Sequence, residues 1–406
     1  MIKKSAYLCL FLVLILNSCS SGNQNRLNPG PVTVEPVETA NTGNGIFHDA
    51  SYIAKDMKLG FNLGNTMEAY DATDCTSASY TWIPYLGSSI SNYEKYWGAP
   101  VTTQEIIDGI KSAGFSTVRI PVFWGNRMEN DGNWDINPQL LNRVREIVDY
   151  CFNADLYVVI NIHHFDEFII RRNNLENCKL IFSKLWTEIA TYFSNYSEKL
   201  IFEGFNEYLG GQQFKNGTLQ DTPEDEAYIM ANALNKTFVD AVRASGGNNK
   251  ERVLIISGYW TNIDLTSAKK FNVPADVIKN RLMVSVHYVD NTMFWVKKIG
   301  STEWLNYIDN QCEKLKAAFT ENGIPVFMGE TTSVYPKSNF AQDVLPEYNT
   351  SASCLEYVLN RLLDYNFVPV LWDTEQPGNF YSRANKKIND AENQEVIFKL
   401  AQALKN

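Results

Sequence analysis

Short apolar runs rich in β-branched and aromatic residues recur along the chain from about residue 59 onward. Each run is six to nine residues long. Near-continuous apolar runs of this length are typical of strands that are buried on both faces of a parallel sheet. The pattern therefore predicts eight strands, at residues 59–65, 116–124, 157–164, 200–207, 252–260, 282–288, 324–331 and 368–373.

Stretches with a helical period separate most of the predicted strands. The clearest are 103–114, 139–153 and 224–246, where apolar residues recur every three or four positions. Gly114 and Gly246 stand where a helix commonly ends in a glycine. Strands and helices that alternate over eight units predict an α/β fold, a single (β/α)8 TIM barrel. An open, doubly wound sheet is the alternative, but no glycine-rich phosphate loop follows the first run.

The first 45 residues follow neither pattern. A pair of lysines precedes an apolar run at 6–16, which is too short to cross a bilayer as a helix. The run ends in the letters LNSC at 16–19, which resemble a bacterial lipobox with Cys19 as the lipidated residue. A plain signal peptide is the alternative. Residues 20–45 are rich in Pro, Gly, Asn and Ser, so we expect a flexible linker.

These features divide the chain into a signal peptide with a lipobox (1–19), a linker (20–45) and one domain (46–406). We expect an exported monomer with a lipid anchor in the bacterial outer membrane, on its periplasmic or cell-surface face. The net charge of −10 argues against a nucleic-acid partner, which requires clustered Lys and Arg.

The cysteines leave the pairing of thiols open. Cys9 and Cys19 fall in the signal peptide, and no pair among the other five has the spacing of metal ligands. An odd number leaves at least one thiol without an intramolecular partner, although a disulfide is possible. The five are Cys75, Cys151, Cys178, Cys312 and Cys354.

Polar and aromatic residues that can carry chemistry collect at the ends of the predicted strands. In a (β/α)8 barrel the carboxyl ends of all strands lie on one face, where the active site is found. A single such residue is more often a satisfied core or capping group, but eight strands that end in this way predict one shared site. The residues are Asn62, Asn65, Arg119, His163, His164, Asn206, Glu207, Tyr259, Trp260, His287, Tyr288, Glu330 and Trp372.

Two carboxylates stand out in this set, Glu207 at the end of the fourth strand and Glu330 at the end of the seventh. Glycoside hydrolysis uses such a pair, one protonated to assist the leaving oxygen and one ionised. Arg119 and the histidines would supply hydrogen-bond donors to the ionised carboxylate. Glu203 shares the side of its strand with Glu207, and Arg119 is its expected partner. The spacing of the pair and the choice of nucleophile stay open at this point.

A metal hydrolase is the competing interpretation, because histidines and carboxylates also bind metals. His163 and His164 are adjacent, so their side chains are expected to start toward opposite faces of the strand. The chain also has neither a His-x-His nor a His-Glu-x-x-His motif. We therefore expect no metal and no other cofactor.

Aromatic side chains near the strand ends suit the apolar faces of sugar rings, although packing is the commoner role of a single Trp or Tyr. With Asn65 they form the predicted substrate contacts. The aromatic candidates are Trp97, Trp124, Trp260, Trp295 and Trp372.

Seven motifs in matching order resemble glycoside hydrolase family 5, and within it the subfamily 4 endoglucanases. The resemblance implies that Glu207 is the acid/base and Glu330 the nucleophile. It also implies active-site positions for Arg119, His163, His164, Asn206, His287 and Trp372. The motifs are GFNLGNT (60–66), GFSTVRIPV (114–122), VVINIHH (158–164), FEGFNE (202–207), VSVHY (284–288), PVFMGE (325–330) and LWD (371–373).

The chain departs from the family pattern at several positions. The family has a tyrosine two residues after the sixth-strand histidine, with its hydroxyl on the nucleophile, where this chain has Val289. Tyr288 stands one position earlier, and a shifted strand would bring its hydroxyl to Glu330. The usual Pro after Asn-Glu is Tyr208, GEFG is GETT (329–332), and WDNG is WDTE (372–375).

The sequence thus predicts a retaining endo-acting glycoside hydrolase that cleaves β-1,4 linkages in a plant-type β-glucan. Cellulose-type chains, mixed-linkage glucan and xyloglucan all remain candidates for the polysaccharide. An endo-β-1,4-mannanase is one alternative. A surface lipoprotein that binds glycans with weakened catalysis is the other, and Val289 is the residue that suggests it.

Overall fold

The computed structural model describes most of the chain from residue 45 onward. The described residues are 45, 47–70, 90–127, 134–207, 211–292, 295, 297–376 and 378–405. The predicted signal peptide with Cys19, nearly all of the predicted linker, and Cys75 lie outside these ranges.

Eight parallel strands close into a barrel, which confirms all eight predicted strands and excludes the open sheet. Each strand pairs with its neighbours in sequence, and the eighth pairs with the first through Gly60–Val370 and Phe61–Leu371. The strands are β1 (Gly60–Asn62), β2 (Thr117–Ile120), β3 (Tyr157–Asn161), β4 (Leu200–Glu203), β5 (Leu254–Ser257), β6 (Leu282–His287), β7 (Val326–Thr331) and β8 (Val368–Leu371).

Most of these strands end before the polar residues that the sequence placed at their ends. For example, β3 stops at Asn161 and β4 at Glu203, so His163, His164 and Glu207 lie in the loops that follow. The side chains still gather at the carboxyl end of the barrel, because each loop begins there.

The helices include the three that the sequence predicted. Gly114 and Gly246 follow two of them with φ of +115° and +80°, the backbone region that glycine enters without steric cost. The helices are α1 (Ala50–Met57), α2 (Ser91–Tyr96), α3 (Gln104–Ser112), α4 (Pro138–Asn153), α5 (Leu175–Tyr192), α6 (Glu224–Ala244), α7 (Ile263–Thr266), α8 (Thr302–Ala318), α9 (Ser351–Asp364) and α10 (Ala391–Ala403).

Two antiparallel hairpins are added to the barrel. Gln212–Lys215 pairs with Thr218–Asp221 after β4, and Tyr381–Ser382 pairs with Lys387–Ile388 after β8. Among the helices of the described residues, none combines the length and the apolar character that crossing a bilayer requires. Cys151, Cys178, Cys312 and Cys354 are buried free thiols, so no disulfide joins these four.

The core has two parts because alternate residues of each strand face opposite ways. One set packs against the surrounding helices, as Val158 and Phe202 do. The other set fills the barrel and packs against Ala50, Ile53 and Met57 of α1. Helix α1 therefore covers the end of the barrel where the strands begin, opposite the end that carries the polar residues.

The segment before α1 is fixed to the same end of the barrel. The His48 amide donates to Glu198 Oε2 at 2.6 Å, and the His48 ring nitrogen Nδ1 lies 2.8 Å from Oε1. Arg281 donates to the carbonyl of Phe47 at 2.9 Å. Asp49 caps the helix by accepting from the Tyr52 amide at 2.9 Å.

Glu188 on α5 is a buried carboxyl outside the barrel. Both of its oxygens lie 3.1 Å from the Ile136 amide. Burial raises the pKa of Glu188 to about 7, against the favourable effect of that amide on the charged form.

We expect Glu188→Gln to make the fold more tolerant of alkaline pH. The folded-state pKa of Glu188 lies above its unfolded value, so the stability it contributes is present below about pH 4.5 and is lost as pH rises through 7. Glutamine cannot ionise, so the variant should gain on the order of 2 kcal/mol over the wild type at pH 8.5 but little at pH 5. Thermal unfolding at both pH values measures this. Glu347→Gln, at an exposed glutamate, is the control, and an equal gain from both variants would contradict the prediction.

Candidate active site

Glu207 and Glu330 come together at the carboxyl end of the barrel, with His287 between them. One oxygen of each carboxylate and the His287 Nδ1 atom all lie within 4.8 Å of one another. The Nδ1 atom is 3.1 Å from Glu207 Oε1 and 3.8 Å from Glu330 Oε2. Carboxyl groups about 5–5.5 Å apart are typical of retaining glycosidases, whereas inverting enzymes hold them about 6.5–9.5 Å apart. The geometry therefore fits retention.

The same three side chains form a set that could hold a metal ion, which the sequence did not foresee. The proximity of the two carboxylates is already accounted for by a retaining pair, and we assign no metal to it.

The two carboxylates differ in their surroundings. The Glu330 side chain is 6% exposed and accepts hydrogen bonds from Arg119 Nη1 at 3.2 Å and from the Tyr288 hydroxyl at 2.7 Å. The Glu207 side chain is 32% exposed and faces His287. A cation and a hydroxyl donor thus hold the Glu330 carboxylate in one orientation. Glu207 lies where water and a leaving group can reach it.

Arg119 is buried inside the barrel and binds four residues, which come from three strands and from the loop after one of them. It donates to Glu203 at 2.6 Å, as the sequence predicted, and to Asn62 at 2.9 Å and Asn206 at 2.8 Å, besides Glu330. Burial alone would lower the pKa of Arg119, but the charges of Glu203 and Glu330 raise it above its ordinary value. The guanidinium is therefore a permanent positive charge beneath the carboxylate pair.

Asn161 and Ser285 complete this network and were missed from the sequence. Asn161 donates to Glu203 Oε2 at 3.1 Å, and Ser285 donates to Oε1 at 2.7 Å. The sequence contained a signal for both, because Asn161 lies two residues before His163 and Ser285 lies two residues before His287, and both histidines were predicted site residues. Residues two apart on a strand share a face.

The two adjacent histidines have different neighbours. The His163 ring is parallel to the Trp372 indole, with ring centroids 6.1 Å apart, and its Nδ1 atom is 3.3 Å from Asn161. Burial, together with neighbouring positive charges, holds the pKa of His163 well below its usual range, so the ring is neutral. The His164 ring is perpendicular to that of His163 and packs against Tyr70, 4.7 Å away.

Tyr288 reaches Glu330 through a local change of register. The partners of β6 jump from Val286–Met328 to His287–Glu330, which skips Gly329. Tyr288 then adopts a φ of +51°, and its amide donates to the Glu330 carbonyl at 2.8 Å. Val289 is fully buried in the apolar core. The predicted shift is confirmed, and a non-glycine residue in this conformation costs about 1–3 kcal/mol that its contacts must offset.

Two hollows lie at the carboxyl end of the barrel, and Tyr288 lines both. The hollow on the Glu207 side is also lined by Trp260, Asn262, Asp264, Asn291 and Tyr307. The hollow on the other side is lined by Thr332, Ser333, Trp372, Asp373 and Gln376. Asn291, Thr332 and Ser333 in these linings were not selected from the sequence, because they belong to loops without a periodic pattern.

The predicted substrate contacts fall into three groups. Trp260 and Trp372 line the hollows, as expected. Trp97 is half-buried beside His164, and Trp295 packs against Tyr307, 5.1 Å between ring centroids. These two lie near the site without lining either hollow.

The prediction for Trp124 is wrong, and that for Asn65 gains no support. Trp124 is 1% exposed and donates through its indole N–H to the Asn161 carbonyl at 2.9 Å, so it is a core residue. It begins a short 3-10 helix rather than ending a strand. Asn65 does not line either hollow, and its backbone amide donates to Glu68.

Comparisons with known proteins agree with this geometry. The family model described as cellulase (glycosyl hydrolase family 5) matches residues 76–378. Endoglucanase A of Paenibacillus barcinonensis is 32% identical over 388 residues, which cover 87% of this chain and 90% of that protein. A xyloglucan-specific endo-beta-1,4-glucanase of Bacteroides ovatus is 28% identical, over 84% of this chain and 68% of its own length.

A solved structure has the same fold along nearly its whole length. The GH5-4 broad specificity endoglucanase from Ruminococcus champanellensis, with bound cellotriose, superimposes with a TM-score of 0.74 and 27% identity. The match covers 87% of this chain and 99% of the other.

We expect Glu203→Gln to destabilise the barrel strongly. It removes the charge that balances the buried Arg119, and a buried cation that loses its partner costs about 3–5 kcal/mol. Chemical denaturation of the variant and the wild type measures the loss. Glu303→Gln is the control, because it breaks the exposed Lys298–Glu303 pair and should cost less than about 1 kcal/mol. Equal losses in the two variants would contradict the prediction.

Proposed function

The chain belongs to glycosyl hydrolase family 5 and is an endo-β-1,4-glucan hydrolase, and from this premise we propose that Glu330 and Glu207 are its catalytic pair. The observation that carries the proposal is that one oxygen of each carboxylate lies within 4.8 Å of the other, beside hollows that Glu207 and Tyr288 line. Their unequal surroundings assign the roles.

Glu330 is the nucleophile in the proposed first step. A carboxylate oxygen of Glu330 bonds to the anomeric carbon, while the bond from that carbon to the glycosidic oxygen breaks. Glu207 gives its proton to the leaving oxygen, so the departing chain carries a hydroxyl. Arg119 and Tyr288 donate hydrogen bonds to Glu330 and hold its carboxylate in position.

Glu207 acts as the base in the second step. It takes a proton from water, the water oxygen bonds to the anomeric carbon, and the bond to Glu330 breaks. Each displacement inverts the anomeric carbon, so two displacements restore its original configuration and the reaction proceeds with retention. The 32% exposure of Glu207 supports this role, since water must reach it after the first product leaves.

The two hollows support endo-action. A chain that lies across the carboxylate pair enters one hollow with its glycone side and the other with its aglycone side. The glutamate that protonates the leaving oxygen lines the Trp260 hollow, so we place the aglycone there. The glycone then lies in the hollow of Trp372, whose indole offers an apolar face to a sugar ring.

The substrate we propose is a soluble β-1,4-glucan chain, of cellulose type, mixed-linkage type or xyloglucan. The name of the Bacteroides ovatus relative makes xyloglucan a specific candidate. Linings with aromatic rings next to hydroxyls, amides and a carboxylate suit a neutral sugar polymer, which needs stacking and hydrogen bonds rather than charge.

The alternative of a glycan-binding lipoprotein with weakened catalysis depended mainly on Val289, and that support is now weaker. Tyr288 occupies the hydrogen-bonding place beside Glu330 at 2.7 Å. Arg119 also donates to Glu330 at 3.2 Å, and the His287 Nδ1 atom lies 3.1 Å from Glu207 and 3.8 Å from Glu330.

A panel of polysaccharides tests the proposed function. We expect the wild type to release reducing ends from at least one of carboxymethylcellulose, mixed-linkage glucan and xyloglucan. Glu330→Gln should lower the rate roughly a thousandfold or more, because no other group can form the covalent intermediate. Glu198→Gln is the matched control, since Glu198 also pairs with a histidine but lies at the opposite end of the barrel. Full activity of Glu330→Gln would overturn the role of the nucleophile.

Other outcomes of the same panel have definite meanings. Release of reducing ends from β-1,4-mannan alone would mean that the substrate is a mannan and not a glucan. Binding of a glycan in an affinity gel without any cleavage by the wild type would revive the binding lipoprotein. Glu207→Gln should lose polysaccharide cleavage but keep a measurable burst with a nitrophenyl glycoside, whose leaving group needs no proton.

Attachment of the chain to the outer membrane through a lipid on Cys19 is the second part of the proposal. Its support is the LNSC sequence after a short apolar run. Expressed in a bacterial host with an alkyne-tagged fatty acid, the full chain should take up the label and sediment with membranes. Cys19→Ala should lose the label, whereas Cys9→Ala should keep it. Equal labelling of the two variants would exclude Cys19 as the lipidated residue.

A further inference from the structure

A buried carboxyl outside the catalytic pair lies behind the loop that carries Tyr288. Asp290 is fully buried, two residues after Tyr288. Its Oδ2 atom lies 2.6 Å from the Tyr335 hydroxyl and 2.9 Å from the Thr292 hydroxyl. Its Oδ1 atom lies 3.2 Å from the Thr332 hydroxyl. The proposed mechanism gives Asp290 no role.

The hydroxyls around Asp290 do not supply enough protons for their contacts. Thr292 and Thr332 also lie 2.6 Å from each other, which makes four oxygen–oxygen contacts at hydrogen-bond distance. Three hydroxyls provide only three protons. A protonated Asp290 provides the fourth. Its acid O–H donates to Thr332, Thr332 donates to Thr292, and Thr292 and Tyr335 donate to the other carboxyl oxygen.

We propose that Asp290 is a neutral carboxylic acid that closes a ring of hydrogen bonds with Thr292, Thr332 and Tyr335, and that this acid–hydroxyl ring positions Tyr288 on Glu330. The proposal rests on the nucleophile role proposed for Glu330. Asp290 is a positioning residue, because it acts through Tyr288 and does not touch the reacting atoms.

The acid–hydroxyl ring joins the two loops whose relative position sets the Tyr288–Glu330 contact. Asp290 and Thr292 follow Tyr288, whereas Thr332 and Tyr335 follow Glu330. The Tyr288 amide donates to the Glu330 carbonyl at 2.8 Å, and the Trp304 indole donates to the Asp290 carbonyl at 3.2 Å. The loop is thus held on both its backbone and its side chains.

Backbone strain explains why this loop needs a clamp. Tyr288 and Asn291 have φ values of +51° and +45°, which side-chain-bearing residues rarely adopt. Such conformations persist only where surrounding contacts enforce them. Thr332 is also one of the positions at which the chain departs from the family pattern, as Val289 is, so the clamp and the displaced tyrosine occur in the same chain.

The electrostatic surroundings agree with a neutral Asp290. Burial raises its pKa, against the effect of the hydroxyl donors. The titratable groups that face it are Tyr288, Tyr307, Tyr335 and Cys354. Burial raises the pKa of each of these four, so all are uncharged at neutral pH and none supplies a cation to pair with a carboxylate.

Variants of Asp290 and Tyr288 test the proposal through their coupling. Tyr288→Phe should lower kcat/KM about tenfold to a hundredfold, the usual effect of losing a hydrogen bond to a charged group, and should move the acid limb of the pH profile upward. Asp290→Ala should also lower kcat/KM, mainly through kcat, and should also move the acid limb of the pH profile upward. In the Tyr288→Phe background, Asp290→Ala should cost no more than about twofold further, because both changes remove one contact.

Asp290→Asn is the decisive variant. Its amide is neutral, with a donor for Thr332 and an acceptor for Thr292 and Tyr335, so it should keep at least about a third of the wild-type kcat. An infrared difference spectrum of wild type minus Asp290→Asn at pH 7.5 should show the band of a protonated carboxyl. A kcat of Asp290→Asn as low as that of Asp290→Ala, or the absence of that band, would overturn the neutral acid.

Two further variants keep the test valid if Asp290→Ala folds poorly. Thr332→Val removes one hydroxyl with little change in shape and should shift the acid limb in the same direction as Tyr288→Phe. Tyr157→Phe removes a tyrosine–aspartate hydrogen bond of 2.8 Å at the opposite end of the barrel, and its pH profile should match the wild type. Additive effects of Asp290→Ala and Tyr288→Phe would overturn the positioning role. Loss of the proposed function itself would appear separately, as an inactive wild type or an active Glu330→Gln.

Discussion

The charge of Arg119 inside the barrel is the constraint on which the rest of the site depends. A fully buried guanidinium is tolerated only with well-placed partners, and here β1, β4 and β7 each contribute one. Glu203 forms an ion pair with Arg119 inside the barrel, and Glu330 forms a second ion pair with it at the cleft. The position of Arg119 in the barrel is therefore tied to that of Glu330, the proposed nucleophile.

The difference between the two glutamates follows from this arrangement. Both stand at strand ends of the same barrel, and neither local sequence states its role. Glu330 lies over the buried cation and beside a hydroxyl, whereas Glu207 reaches further out, with a histidine as its neighbour. One interior charge thus gives two chemically equal side chains the different surroundings on which the proposed roles of acid and nucleophile rest.

The parts of this molecule that depend on period and on strand ends were predictable from the sequence. The eight strands, the closing of the barrel and the meeting of Glu207 with Glu330 all follow from local patterns and one topological rule. The prediction that Trp124 contacts substrate failed because the chain leaves the strand for a 3-10 helix there, and the indole is buried in the core. The contacts of Asp290 were out of reach, since they join loops about 40 residues apart whose conformations depend on each other. Asn161 and Ser285 were within reach, because each stands two residues before a predicted site histidine on the same strand.

The place where the chain enters the barrel bears on how a tethered enzyme would meet its polymer. Helix α1 and the His48–Glu198 contact fix that entry at the pole opposite the carboxylate pair. For a chain held to a membrane ahead of α1, the surface would lie on the far side of the protein from the cleft. In the described residues, the chain that leads into α1 therefore does not cross the end of the barrel that a long glucan would have to reach.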